Sequence, residues 1–267
     1  MQKSSQIASQ KRTTLAWLTG FAVAFAQPLS RASDWRDAWQ ATPLASPRHR
    51  LLNRLKLPPE VYLQQHLAPP PLSDSADHRQ DIEALHQVQA ARSAQELEVA
   101  IRLEPMSFWP WLVWCLRSRD IQPSDPLPPA ALREALDVLR NDFEEVLLAA
   151  RKRYPRPRPA VADPRLNAAW QTGSTNSYPS AKVWAFMLQV IALDAVAPGL
   201  IQQAQAGLEQ LAKSREVALV HYPSDVIAAR LAAASMGKEL TQTMALEGYT
   251  AAEHRSALIR WLANLAG

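Results

Sequence analysis

The sequence predicts an all-α fold on three observations. Apolar residues recur at three- and four-residue spacing through most of the chain beyond residue 75. No run alternates apolar and polar residues for the length of a strand, and 21 prolines stand against only 7 glycines in 267 residues. Proline ends helices and stiffens the connections between them, whereas a sheet of hairpins would need glycine at its tight turns. With 48% hydrophobic residues the chain can bury a sizeable core, so a folded body is expected rather than disorder.

Residues 1–26 read as a secretory signal. Lys11-Arg12 is the cationic start, Leu15 to Val23 the apolar core, and Ala24-Phe25-Ala26 a small-x-small cleavage site. That core is shorter than the ~20 residues a span needs, so the expectation is a periplasmic or secreted protein with no stable membrane span after signal removal. The segment also holds much of the basic excess. The whole chain is +4, but beyond residue 26 there are 26 basic and 25 acidic side chains, a balance that argues against nucleic acid as a partner.

Residues 27–59 lack periodicity and read as an N-terminal arm, with a short helix around 51–55. The extended Pro69-Pro70-Pro71-Leu72 lies near the start of a helical domain over 60–267. From Ser75, Ile82, Leu85 and Val88 form one helical stripe, and Ser93-Ala94-Gln95-Glu96 is a capping box that opens the next helix. Phe108, Trp109, Trp111 and Trp114 crowd around Pro110, aromatic density that suits a core or interface better than a substrate lid. Cys115 is the only cysteine; it excludes an intrachain disulfide and a multi-cysteine metal site, and reads as a thiol buried beside Trp114.

A long amphipathic helix starts at Pro129, carries Leu132, Leu136, Leu139, Phe143, Val146, Leu147 and Ala150 at helical spacing, and ends in Arg151-Lys152-Arg153. Alternating prolines keep 155–159 extended. Residues 181–196 are apolar nearly all round, interrupted by Gln189 and Asp194, and so predict the central helix of a bundle. Helices at about 198–213, 224–242 and 251–266 complete the fold. Oligomeric state is left open, a homo-oligomer included.

The chemistry concentrates at helix ends. Arg215, His221 and Asp225 lie within one short stretch, with His221 on the connection between two helices and Asp225 about a turn further on. A carboxylate there can accept a hydrogen bond from the Nδ1–H of an imidazole, which fixes the tautomer and leaves Nε2 free to attack an electrophile. The other histidines, His49, His66, His78, His86 and His254, are scattered on polar segments without ligand spacing and read as solvated; no acidic cluster suggests a metal site.

Three separated blocks share one pattern: Arg151-x6-Arg158-Pro159, Pro179-Ser180-Ala181-Lys182, and Ser214-Arg215-x5-His221-x3-Asp225. Together they resemble the bacterial class A non-specific acid phosphatases of the type 2 phosphatidic acid phosphatase and vanadium haloperoxidase superfamily, whose signature is K-x6-R-P, P-S-G-H and S-R-x5-H-x3-D. Tyr62-Leu63, the prolines at 69–71, Asp81, Leu85, Gln89, Arg92-Ser93, Tyr154 and Arg156 fit the same pattern. The resemblance implies a cofactor-free phosphomonoester hydrolase, with a phosphomonoester or inorganic phosphate as partner. His221 would attack phosphorus, Asp225 would orient it, and Arg151, Arg158, Arg215, Ser180 and the Ala181 backbone would hold the phosphate.

The sequence departs from the signature at two blocks. Arg151 replaces a lysine with its charge kept, and Ala181-Lys182 replaces Gly-His. In the family that histidine is the general acid, so the resemblance gives its role to Lys182, a poor proton donor at its ordinary pKa of ~10.4. A Cβ at 181 would add strain if the backbone there had positive φ. Two readings stay open: a hydrolase with reduced activity, or an inactive relative that binds phosphate or a phosphorylated ligand.

Overall fold

A computed structural model describes residues 58–116, 130–173, 176–246 and 260–261. The expected signal segment, nearly all of the arm, Pro129 and nearly all of the expected helix over 251–266 lie outside them. The fold is all-α: among the described residues there are nine helices and no strand, only a bridge between Pro157 and Asn176.

α1 (Pro59–His66) opens the described chain behind Pro58-Pro59, a position where a missing N–H is harmless. Extended residues lead to α2 (Ala76–Ala91), capped by Ser75 accepting from His78 N at 3.1 Å. α3 (Ala94–Leu103) has the full capping box: Glu96 N donates to Ser93 Oγ at 3.1 Å and Ser93 N to Glu96 Oε2 at 2.9 Å. α4 (Phe108–Leu116) takes up the aromatic run. Trp111 and Trp114 are buried, and Phe108 and Trp111 meet Phe186 at ring distances of 5.6 and 5.1 Å, so these aromatics are core.

α5 (Ala130–Arg153) is the long amphipathic helix and buries Leu136, Leu139, Phe143, Val146, Leu147 and Ala150. The short α6 (Pro159–Ala162) follows the extended prolines. α7 (Ala181–Val196) packs against α8 (Leu200–Val217), α9 (Pro223–Leu246) and α5, which is why it is apolar on nearly every face. Asp194, one of its two polar residues, caps the start of α8 by accepting from Gly199 N and Ile201 N, both at 3.0 Å. Gly199 makes that turn with φ 102°.

Close helix approach depends on two other glycines. A Cβ at Gly207 in α8 would collide with Cys115 Sγ of α4, and one at Gly237 in α9 would fall 2.6 Å from Ile191 Cγ2 of α7. Cys115, expected to be buried, is only partly so, although its thiol fills the notch that Gly207 leaves.

The α8–α9 connection carries the site and is fastened from below. Arg92, the C-cap of α2, donates to Val217 O at 2.7 Å and to Asn167 O at 3.1 Å. Leu219 has φ 57°, a left-handed conformation that a branched side chain adopts at a cost on the order of 1 kcal/mol. Its side chain is fully buried with Leu85, Leu166 and Tyr222, and that packing holds the turn.

Candidate active site

Five helix ends converge here. Arg151 lies in the last turn of α5, Arg158 is the N-cap of α6, Ser180 the N-cap of α7, Arg215 is in the last turn of α8, and Asp225 in the first turn of α9. Helix N-termini and arginines both favour a bound anion.

His221 is buried between a cation and a carboxylate. Arg158 Nη1 donates to its Nε2 at 2.8 Å and lies 3.4 Å from Nδ1, while Nδ1 is 3.4 Å from Asp225 Oδ2. A guanidinium has only donors, so the close partner, Nε2, must be the acceptor nitrogen, and the ring proton sits on Nδ1 facing Asp225. Burial holds the imidazole pKa down to about 4, against the opposing pull of Asp225, and Arg158 and Arg215 add to the depression. His221 is therefore neutral near pH 7, with its Nε2 lone pair directed into a cationic cluster.

Asp225 is fully buried and fixed on three sides. Its Oδ2 accepts from Tyr222 N at 3.0 Å, and its Oδ1 from Arg156 Nη1 at 2.6 Å. Burial opposes its ionisation, but His221, Arg156 and the Tyr222 N–H outweigh it and lower its pKa. Arg156 continues the chain of contacts. It donates to Asp81 Oδ2 at 2.7 Å, to Ser224 Oγ at 2.8 Å and to His78 Nδ1 at 3.0 Å, and lies 3.8 Å over the Tyr222 ring. Ser224 N closes the loop onto Asp81 Oδ1 at 3.1 Å. Asp81 and Arg156 thus act on His221 through Asp225, as positioning residues.

The cationic half is built differently. Arg158 is buried, anchored on Val220 O at 2.7 Å, and its pKa is held down to about 10, chiefly by burial, with Arg151 and Arg215 adding repulsion. Arg215 is buried against Trp170, with its guanidinium 5.3 Å from that ring's centre; it pairs through Nη1 with Glu104, while its Nη2 has no hydrogen-bond partner. Arg151 Nε and Ser180 Oγ are likewise buried without partners, although the Ser180 N–H bonds Asp225 O at 3.2 Å. Cationic donors and a hydroxyl left without acceptors are the complement of an oxyanion.

Lys182 is tied elsewhere. Its ammonium donates to Leu103 O at 3.2 Å and to Glu104 O, capping the C-terminus of α3, and lies 3.8 Å from Glu104 Oε2. Its pKa falls to about 8, with burial the main cause; Glu104 opposes the fall and Arg215 adds to it. Ala181 is the first residue of α7, and the positive-φ residues among those described are Leu219 and Gly199, so the Ala181 Cβ brings no backbone strain of that kind.

Residues of the three motif blocks thus lie together, Arg158 against His221 and Ser180 against Asp225. The residues that sequence reasoning did not assign are Glu104, Arg156, Asp81, Ser224 and His78. Two histidines read as solvated are engaged: His78 with Arg156, and His86 with Asp163 at 2.9 Å. His66 Nδ1 also meets Ser235 Oγ at 2.7 Å, and His49 and His254 lie outside the described residues. Among the described residues no group of three or more His, Cys, Asp or Glu could hold a metal ion, and no helix is long and apolar enough to cross a membrane. No protein-family model and no curated protein matches the chain.

Proposed function

We propose that the chain is an acid-phosphatase-like phosphomonoester hydrolase that works through a phosphohistidine at His221, similar to the class A enzymes its motifs resemble. The observation that carries this reading is the pair of contacts on one imidazole, Asp225 at Nδ1 and Arg158 at Nε2. It leaves a neutral nucleophile whose lone pair faces the cations that a phosphate would engage.

In the proposed reaction, Arg151, Arg158, Arg215 and Ser180 hold the phosphate oxygens. Arg158 turns its Nη1 donor from Nε2 to a phosphate oxygen, which frees the lone pair. His221 Nε2 then attacks phosphorus as the bond to the leaving oxygen breaks, and that oxygen takes a proton from the Lys182 ammonium. A water then attacks phosphorus, the P–N bond breaks, and the water's proton passes to the Lys182 amine. Inorganic phosphate and free His221 result, with no net change in the protein. Phosphoryl transfer of this kind is mostly positioning and charge stabilisation.

The proton donor is the weak part. Lys182 is bonded to the end of α3, and a general acid that works poorly lowers the rate by ~10²–10⁴. Aryl phosphates, whose leaving groups need little protonation, should suffer least. The same observation favours the second reading, an inactive relative that binds phosphate. Periplasmic or secreted location is part of the proposal and rests on residues 1–26 alone.

Brief incubation with an aryl phosphate followed by mass spectrometry separates the two. The hydrolase reading expects phosphate on His221 and turnover lost in His221→Ala. Phosphate bound with no turnover and no modified His221 would overturn it in favour of the binder.

A further inference from the structure

Glu104 is the first residue past α3, and the cationic half of the site is gathered around it. Its carboxylate pairs with Arg215 of α8 and lies 3.8 Å from Lys182 of α7, and its charge also acts on Arg158 ahead of α6. Three cations from three different elements therefore look to one carboxylate. We propose that Glu104 is the built-in anion of this cradle, displaced when a phosphate binds, and that it tunes the site for dianionic monoesters; this rests on reading the cluster as a phosphate cradle.

The exposure of the partners supports displacement. The Glu104 side chain is 41% exposed and its partner Arg215 only 3%, so the carboxylate can swing into water while the guanidinium stays fixed. Lys182 also keeps its bonds to Leu103 O and Glu104 O, which involve backbone and do not depend on where the carboxylate goes. One carboxylate leaves donors over: Arg215 Nη2, Arg151 Nε and Ser180 Oγ are buried without acceptors. A phosphate dianion brings more oxygens and twice the charge, so it can satisfy what Glu104 cannot.

The consequence is a specificity filter. A monoanion, such as a phosphodiester, would replace Glu104 at equal charge and gain little. A monoester dianion gains one full charge over the residue it expels. The cost of displacing Glu104 is common to every anion and lowers all affinities by the same factor. A dianion keeps surplus attraction after meeting it and a monoanion does not, so the monoanion falls below measurable binding.

The test is calorimetric titration of the full chain and of Glu104→Gln with inorganic phosphate and with dimethyl phosphate. Glu104→Gln should bind phosphate on the order of tenfold tighter than the parent, and should show measurable binding of dimethyl phosphate. Loss of structure cannot imitate a gain in affinity, and Glu104→Ala should show the same gain. If the parent binds phosphate and both variants bind it equally or more weakly, Glu104 is not a competitor and the proposal fails alone. If none of the three proteins binds phosphate, the cradle reading fails and takes this proposal with it.

Discussion

The two halves of the site handle buried charge in opposite ways. Below His221, one arginine is shared by two carboxylates: Arg156 uses both terminal nitrogens on Asp225, Asp81, Ser224 and His78, leaving only its Nε without an acceptor. Above it, Arg158, Arg215 and Lys182 look to a single half-exposed carboxylate, and several donors, Arg151 Nε among them, are left over. The first arrangement is closed and serves to orient. The second is open to an anion, and the free energy of its uncompensated donors is available to whatever binds there. Orientation and affinity are thus carried by different residues, and substitutions should separate them.

The largest effect should come from Arg156→Met. It strands Asp81 and Asp225 in the interior and should destabilise the fold by about 3–5 kcal/mol in urea unfolding. Arg215→Met should lower stability much less, since Glu104 can turn to water, yet should abolish phosphate binding. Equal stability losses in the two variants would erase the distinction between the halves.

Next is the acid limb of stability. His221 has a folded pKa of about 4 against an ordinary 6.5, so between those values the unfolded chain holds a proton that the folded chain refuses. Its contribution is complete above 6.5 and is lost as pH falls toward 4, a change of roughly 3 kcal/mol. Glu216 works in the opposite sense: burial lifts it to about 7 from an ordinary 4.5, so its contribution is complete below 4.5 and is lost as pH rises through 7. Glu216→Gln should therefore steepen the acid loss, and His221→Gln should leave stability that declines as pH rises over the same window. Chemical denaturation across that pH range reads both slopes.

The smallest change concerns Lys182, the proton donor of the proposed reaction. Placing Gly-His at Ala181-Lys182 should raise turnover of alkyl phosphates by up to ~10²-fold and alter aryl phosphates little. Equal gains on both classes would mean that Lys182 limits something other than leaving-group protonation.

Much of this was legible in the sequence, and the misses have physical causes. Long helices such as α5, α7 and α9 announce themselves because one face, or nearly all faces, must be apolar. α1 begins behind two prolines with little amphipathy, and α4 is apolar throughout with Pro110 in its first turn, so neither shows a helical period. In the site, Arg215, His221 and Asp225 could be read from local spacing because a single helix–turn–helix holds them. Glu104 could not, since it reaches Arg215 across 111 residues, and Asp81 and Arg156 fit the motif pattern without a role because they pair across 75. Asp81 did leave a trace: it is an acid on the stripe of α2 that buries Leu85, where a charge needs a partner.

Asp225 and Arg158 together hold His221 as a neutral imidazole with Nδ1 protonated and Nε2 unprotonated, accepting from Arg158. Nitrogen-15 NMR of the imidazoles near neutral pH, with and without inorganic phosphate, tests it directly. Expected are a protonated Nδ1 and an unprotonated Nε2 for His221, with the Nε2 resonance moving as phosphate saturates the site. A proton on Nε2, or an Nε2 signal indifferent to saturating phosphate, would contradict it.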